Sequence, residues 1–153
     1  MFQKIKNLKK VSSYEEMAAR IKQTPKYLYE ADKLYSTYSE SVSDSLIVPP
    51  GYVQYGPYYT INAGCYTVKV IGSGLDLLSK GAVYINTNNQ EVKAEIGNEE
   101  YEKEYISYQL KLNGVTDRNE FCTYNNGTED IRINRIEVYS NDIVVPEILK
   151  SWW

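Results

Sequence analysis

The sequence predicts a mainly β chain: an antiparallel two-sheet jelly-roll β-sandwich preceded by an N-terminal α-helical arm. Three observations carry this. From Leu46 onward, apolar and polar residues alternate with period two. About eight such runs follow at roughly ten-residue spacing with no helical pattern between them, which suits a sandwich or barrel, and eight strands fit a jelly roll. Before Leu46 the apolar residues recur instead at steps of three and four, the helical period. The expected organisation is therefore a helical arm over 1–45, a sandwich over 46–140 and a tail over 141–153 that packs on the domain or on a partner.

In the arm, Phe2, Ile5, Leu8 and Val11 fall at steps of three among Lys4, Lys6, Lys9 and Lys10. The segment reads either as a basic helix that touches an anionic membrane surface or as a frayed terminus or partner-docking turn. Ser13 and Glu16 fit a capping box, so a first helix should reach Gln23. Thr24-Pro25 reads as the start of a second helix that extends to Val42. On it, Leu28, Ala31, Tyr35, Tyr38 and Val42 keep coiled-coil spacing, and Tyr14, Met17 and Ile21 share the frame. The expectation is a homo-oligomer formed through this seam. A helix pair lying on the sandwich explains the spacing as well.

The β-region centres on Tyr55 to Gly74. Tyr58 to Ile61 and Cys65 to Ile71 read as two strands around the turn Asn62-Ala63-Gly64. Tyr66, Val68 and Val70 should face the core, joined by Tyr59 and Ile61, with Tyr58, Thr60, Thr67 and Lys69 outward. Short strands are expected at Leu46–Val48, Val53–Tyr55 and Gly81–Asn86, and Val92, Ala94 and Ile96 alternate beyond a turn. Ile106, Tyr108, Leu110 and Leu112 should be buried against outward Ser107, Gln109 and Lys111. Phe121 and Thr123 share a face, and Asn125-Asn126-Gly127 is a hairpin signal. Ile131 and Ile133 have odd parity, Ile136 and Val138 even, so burying all four needs a β-bulge near Asn134-Arg135. A chain made of residues 46–140 holds this whole alternating set and should fold without the arm.

Composition narrows the function classes. The net charge is −3, which leaves no basic field for nucleic acid. No apolar run approaches the ~20 residues of a membrane helix. The basic start lacks the apolar stretch of a secretory signal, so a cytoplasmic location is expected. Sixteen tyrosines stand against two phenylalanines, a surplus that suits half-exposed binding faces. Cys65 and Cys122 read as reduced thiols. With no histidine, imidazole acid–base chemistry and imidazole metal ligation are excluded. The carboxylates Glu99, Glu100, Glu102 and Glu104 read as a solvated charge run rather than a glycosidase pair.

The run GPYYTINAGCYTVKV resembles the GPY-x-x-L-x-x-G-x-Y-x-V signature of galactose-binding-like β-sandwich domains. FCTYNNGTEDIRINRIEVYS is similar to their closing hairpin. The resemblance covers about residues 46–140; Cys65 and Ile61 depart from its pattern. Such domains accompany glycosyltransferases and sugar-modifying enzymes of bacterial surface-polysaccharide assembly. The resemblance thus implies a non-catalytic carbohydrate-binding or accessory domain with a glycan or such an enzyme as partner. A protein-interaction scaffold without sugar ligand is the alternative, and a glycan hydrolase or lyase has least support. Outward parity nominates Tyr58, Tyr84, Tyr105, Tyr124, Lys69, Gln109 and Arg132 as sugar contacts. No cofactor is expected beyond a structural calcium held by loop carboxylates, for which Asp76, Asp117 and Asp130 are the candidates.

Overall fold

The computed structural model describes residues 15, 16, 19, 20, 23–38, 41, 42 and 44–142. Their strands, in chain order, are β1 (Tyr27–Glu30), β2 (Tyr35–Ser36), β3 (Ser41–Val42), β4 (Ser45–Val48), β5 (Val53–Tyr55) and β6 (Pro57–Ile61). They continue with β7 (Gly64–Ser73), β8 (Val83–Asn86), β9 (Ala94–Tyr101), β10 (Tyr105–Leu112), β11 (Thr116–Tyr124) and β12 (Ile131–Ser140). Two short 3-10 turns, Ala31–Lys33 and Leu75–Leu77, interrupt them.

The strands form two antiparallel sheets with a shared core. In the first, Ile136 of β12 lies between Tyr29 and Val70, and Arg132 lies between Ile47 and Ser73. β7 therefore runs along one edge of β12, while β1 and β4 share the other. β10 and β9 extend the sheet beyond β7, and β3 borders β4. In the second sheet, Thr123 of β11 lies between Gln54 and Val83, and Glu120 lies between Pro57 and Asn86. β5 and β6 thus share one edge of β11, with β8 on the other and β2 outside β5.

Period-two alternation places the core as expected in the long strands. Tyr66, Val68 and Val70 of β7 and Ile106, Tyr108, Leu110 and Leu112 of β10 are all buried. Ile131, Ile133, Ile136 and Val138 are buried too, because the β12–β7 register shifts between Ile133 and Arg135. The parity conflict is repaired by a bulge where the sequence required one. Gly72 lies opposite, and a Cβ there would overlap the Arg132 carbonyl.

Two expected hairpins are corrected. β6 and β7 lie in different sheets, so Asn62-Ala63 carries the chain around an edge of the sandwich. β11 and β12 are likewise divided between the sheets. Here the buried Asn125 side chain donates to the Val48 carbonyl (2.8 Å) and the Glu129 carbonyl (2.7 Å), and accepts from Gly127 N–H (2.9 Å). That asparagine pins a sheet-to-sheet crossing, which a two-residue hairpin turn would prevent. Tyr59 is also corrected: it is 47% exposed, because Tyr58 at φ 72° breaks the alternation ahead of it.

The larger correction concerns the arm. No described helix reaches seven residues. Glu15, Glu16, Ala19, Arg20 and Gln23 are helical, but the expected second helix is β1, a 3-10 turn, β2 and β3. Thr24 explains this. Its hydroxyl donates back to the Arg20 carbonyl at 2.6 Å, so it closes the preceding helical turn instead of capping a new one. The coiled-coil seam does not exist as one face. Leu28 and Tyr35 are about half exposed on strands, Ala31 is buried in a 3-10 turn, Tyr38 lies in a turn, and Val42 is in β3. Nor does a domain boundary at 45/46 separate the sheets: β1 pairs with β12, β2 pairs with β5, and Tyr29, Ala31 and Leu34 are core. The basic segment 1–11, the capping Ser13, Tyr14, Met17, Ile21 and tail residues 143–153 lie outside the described residues. No described helix is long and apolar enough to cross a membrane.

A chain beginning at Leu46 should therefore lose most of its stability, contrary to the sequence expectation. It lacks the Tyr29 and Leu34 side chains and leaves one edge of β12, the one opposite β7, without its strand from Arg135 to Val138. Circular-dichroism melts of it and the full chain test this; equal melting temperatures would contradict the assembly above. The buried tyrosines give a finer check. The Tyr29 hydroxyl has no partner among the described residues, whereas that of Tyr66 donates to the Asn62 carbonyl at 2.7 Å. Tyr29→Phe should leave stability unchanged or raised, and Tyr66→Phe should cost about 1 kcal/mol in urea denaturation.

Candidate functional site

The outer face of the second sheet gathers aromatic and polar groups. Tyr35 pairs with Tyr55 across β2 and β5. Gln54 pairs with Thr123, so Tyr55 stands opposite Cys122, and Cys122 pairs with Tyr84 of β8. These four residues make one row across four strands, about 14 Å wide at the usual strand spacing. Tyr35 and Tyr55 stack at 5.5 Å between ring centroids. Tyr58 leans on both, 5.7 Å from Tyr35 and 6.1 Å from Tyr55. Cys122, the one small residue of the row, is buried at its middle.

Beside the row opens a cleft of about 590 Å³ lined by Tyr58, Asn86, Thr87, Asn88, Arg118 and Glu120. Two opposed bulges build it. Between the pairs Thr116–Ile61 and Asn119–Tyr59, β11 carries one extra residue; between Asn119–Tyr59 and Glu120–Pro57, β6 carries one. The slips cancel, and each strand resumes its register. Tyr58 at φ 72° and Arg118 at φ 49° occupy the left-handed region at these bulges. They are two of the three described non-glycine residues with positive φ. Such backbone costs of order 1–3 kcal/mol per residue and persists where its surroundings over-determine it.

The surroundings do so here. Thr116 and Asn119 are fully buried at either end of the β11 bulge, and the Thr116 hydroxyl donates to Asn119 Oδ1 at 3.2 Å. Thr60 donates to the Asp117 carboxylate at 3.0 Å. Buried Gln54 donates to the Phe121 carbonyl at 2.9 Å, which fixes β5 against β11 just below. With these neighbours tied inward, Arg118 is left projecting and exposed.

Glu120 is the polar hub. It accepts from Asn86 Nδ2 at 3.4 Å, and the Cys122 thiol lies 3.7 Å from it. Burial and then the Glu120 carboxylate, to which it hydrogen-bonds, raise the Tyr58 hydroxyl above its ordinary range. Burial, then Cys122, raises that of Tyr84. Burial pushes the Cys122 thiol up to about 12, and Glu120 adds to the shift. Cys122 is thus a protonated thiol at neutral pH and a poor nucleophile. Both cysteines are free.

Of the sequence-nominated residues, Tyr58 and Tyr84 share this face, and Tyr58 alone lines the cleft. Tyr124 ends β11 beside them, opposite Val53 and 38% exposed. The other four lie in the opposite sheet. There the Lys69 ammonium sits 6.0 Å from the Tyr105 ring centroid and 5.6 Å from that of Tyr139. Gln109 is engaged with Thr67 (3.1 Å) and Asn141 (2.9 Å), and Arg132 donates to the Ser45 hydroxyl at 3.3 Å. The seven residues therefore do not form one site. Arg118, Glu120, Asn86, Thr87, Asn88 and Tyr55 escaped the sequence reading. No local signal marked them: the residue at positive φ is Arg118, not the Asp117 or Asn119 that would tolerate it more readily.

The calcium candidates do not converge. Asp117 faces Thr60 in the second sheet, while Asp76 and Asp130 flank Gly74 at the far end of β7. Among the described residues no three His, Cys, Asp or Glu side chains are grouped to hold a metal ion. In comparisons with known proteins, no family model, no curated protein and no solved structure matches the chain.

The raised thiol and hydroxyls set a pH dependence. Burial raises Cys122, Tyr29, Tyr66 and Tyr101 in the folded state, and Tyr139 is pushed up to about 12. The unfolded chain loses these protons first, from about pH 8.5 for a thiol and about 10 for a phenol. Their contribution is therefore complete below pH about 8.5 and lost as pH climbs toward 12. Melting temperatures should be level from pH 7 to 8.5 and fall steeply above about pH 10. A level profile to pH 11.5 would contradict the burial of these groups.

Proposed function

We propose that the chain is a non-catalytic carbohydrate-binding module whose site is the cleft between Tyr58 and Asn86. One observation carries this reading: a partly exposed tyrosine, 40% accessible, borders a cleft lined by two amides, a hydroxyl, a guanidinium and a carboxylate. A pyranose offers a flat C–H face and a ring of hydroxyls, and an aromatic platform with planar polar groups complements both. The row Tyr35-Tyr55-Tyr84 extends the platform beyond a single ring. Binding is favoured over catalysis because Cys122 keeps its proton and no second carboxylate lines the cleft among the described residues. Sheet-to-sheet crossings at β6–β7 and β11–β12 suit the jelly-roll connectivity of the galactose-binding-like domains that the sequence resembles. An accessory role in bacterial surface-polysaccharide assembly, in the cytoplasm and beside a glycosyltransferase-type enzyme, is part of this reading.

A scaffold role without sugar ligand is the second reading. Tyr38 and Tyr52 make an edge-on pair at 5.4 Å, each at least 40% exposed and absent from the cleft lining, and aromatic surface of this kind is enriched at protein interfaces. Glycan-array screening followed by calorimetry separates the two. Tyr58→Ala should weaken oligosaccharide binding at least tenfold with little change in melting temperature, and Tyr105→Ala on the opposite sheet should leave it unchanged. Binding lost in Tyr105→Ala but kept in Tyr58→Ala would move the site to the other face. No saccharide binding, together with concentration-dependent association in sedimentation, would favour the scaffold.

A further inference from the structure

The geometry points to an acidic sugar: we infer that Arg118 receives a ligand carboxylate in this cleft. The inference rests on the carbohydrate reading and narrows it.

The two charged groups of the cleft are in different states. The Glu120 carboxylate is engaged within the chain, by Asn86, by the Cys122 thiol and by the Tyr58 hydroxyl. The Arg118 guanidinium has no hydrogen bond or ion pair with any described residue; the ion pair found among them joins Arg135 and Glu137. Glu120 is two residues away on the same strand, yet they do not pair. An exposed arginine in a surface loop is usually just solvated. Arg118 is held differently. It sits at φ 49° in a bulge whose flanking Thr116 and Asn119 are buried, and whose Asp117 is tied to Thr60. Ordinary strand geometry would return residue 118 to the ladder. The bulge instead sets it at the rim of the cleft.

A guanidinium presents a planar fork of donors that matches a carboxylate in two parallel hydrogen bonds. Asn86, Thr87 and Asn88 supply neutral donors and acceptors for hydroxyls, and Tyr58 supplies the ring contact. Carboxylate, hydroxyls and an apolar ring face occur together in uronic acids and in nonulosonic acids of the sialic type. The net charge of −3 offers such a ligand no long-range attraction. Recognition must come from this one cation at close range.

Matched ligand pairs test the inference on the full chain. Calorimetry or ligand-observed NMR compares tetragalacturonate with its methyl ester, and sialyllactose with lactose. The acidic member of at least one pair should bind at least tenfold tighter. Arg118→Gln should remove that preference while keeping any binding of the neutral member, and Arg118→Lys should restore it only in part. Raising salt should weaken the acidic member selectively. Unchanged melting temperatures in both variants exclude a folding defect. Should a variant melt early, chemical-shift changes of the wild-type Arg118 side chain on titration give the same answer. Equal binding of acidic and neutral members, indifferent to Arg118→Gln but lost in Tyr58→Ala, overturns the acidic-sugar inference and leaves the carbohydrate reading intact. Binding to no saccharide in a broad array overturns both.

Discussion

Strand β12 is the constraint on which both sheets depend. It must bury Ile131 and Ile133 on odd positions and Ile136 and Val138 on even ones. One register cannot do this, so the strand bulges between Ile133 and Arg135. The bulge divides β12 into two halves of opposite parity. Its first half pairs with β4 and its second with β1 on the same edge, while β7 runs along the whole of the other. Two short strands, distant in sequence, can therefore cover one edge end to end. Each brings its own apolar residues: Leu46 and Val48 from β4, and Tyr29 from β1. Tyr29 then crosses the core to Phe121 of the opposite sheet at 5.9 Å. The bulge in one sheet thus helps determine what the other packs against.

The two sheets divide the work. The first carries the long regular strands β7 and β10, paired over eight consecutive positions from Tyr105 to Leu112. The second is shorter and irregular, and both strained cleft residues belong to it. Strain of a few kcal/mol is a large share of a small domain's stability. It is tolerable in β6 and β11 because their inner faces are anchored by Ile61 and Phe121 in the core, and by Gln54, Thr116 and Asn119 in buried polar contacts. The aromatic row rests on this anchored layer. Cys122 matters here by being small. Its thiol is buried between Tyr84 and Glu120, where a larger side chain would have to displace one of them.

Legibility from sequence followed the same division. β7, β10 and the β12 bulge were readable because period-two burial leaves a direct trace: Tyr66-Val68-Val70, Ile106 to Leu112, and the parity switch at Asn134-Arg135. Residues 24–42 were misread because their apolar spacing of three and four is also produced by short strands broken by turns. Tyr27 and Tyr29 alternate as in a strand; the 3-10 turn at Ala31–Lys33 then places buried Ala31 and Leu34 three apart, the helical spacing. Thr24-Pro25 fits either a helix start or a helix stop, and only the bond to Arg20 decides between them. Of the cleft lining, only Tyr58 was legible. Tyr58 and Tyr84 have outward parity on the plain period-two reading of their strands. Arg118 and Glu120 join Tyr58 at the cleft through two bulges that cancel, and a cancelling pair leaves the flanking alternation undisturbed. Nothing in the apolar pattern marks it.

The tyrosine surplus can be followed residue by residue. Phenylalanine would serve the core alone, as Phe121 does. Several tyrosine hydroxyls do something that a phenyl edge cannot. Tyr66 ties β7 to the crossing at Asn62, Tyr101 donates to Glu99 at 2.6 Å, and Tyr139 donates to Glu137 at 2.8 Å. On the second sheet, Tyr58 and Tyr84 point their hydroxyls toward Glu120 and Cys122. Each ring there covers apolar surface while its hydroxyl keeps a polar neighbour in place. That double role needs a position at the boundary between core and water, which a thin two-sheet domain has in abundance. Tyr29 differs from these: it is buried and its hydroxyl has no partner among the described residues. There the ring alone does the work, whereas Tyr58 beside the cleft uses ring and hydroxyl together.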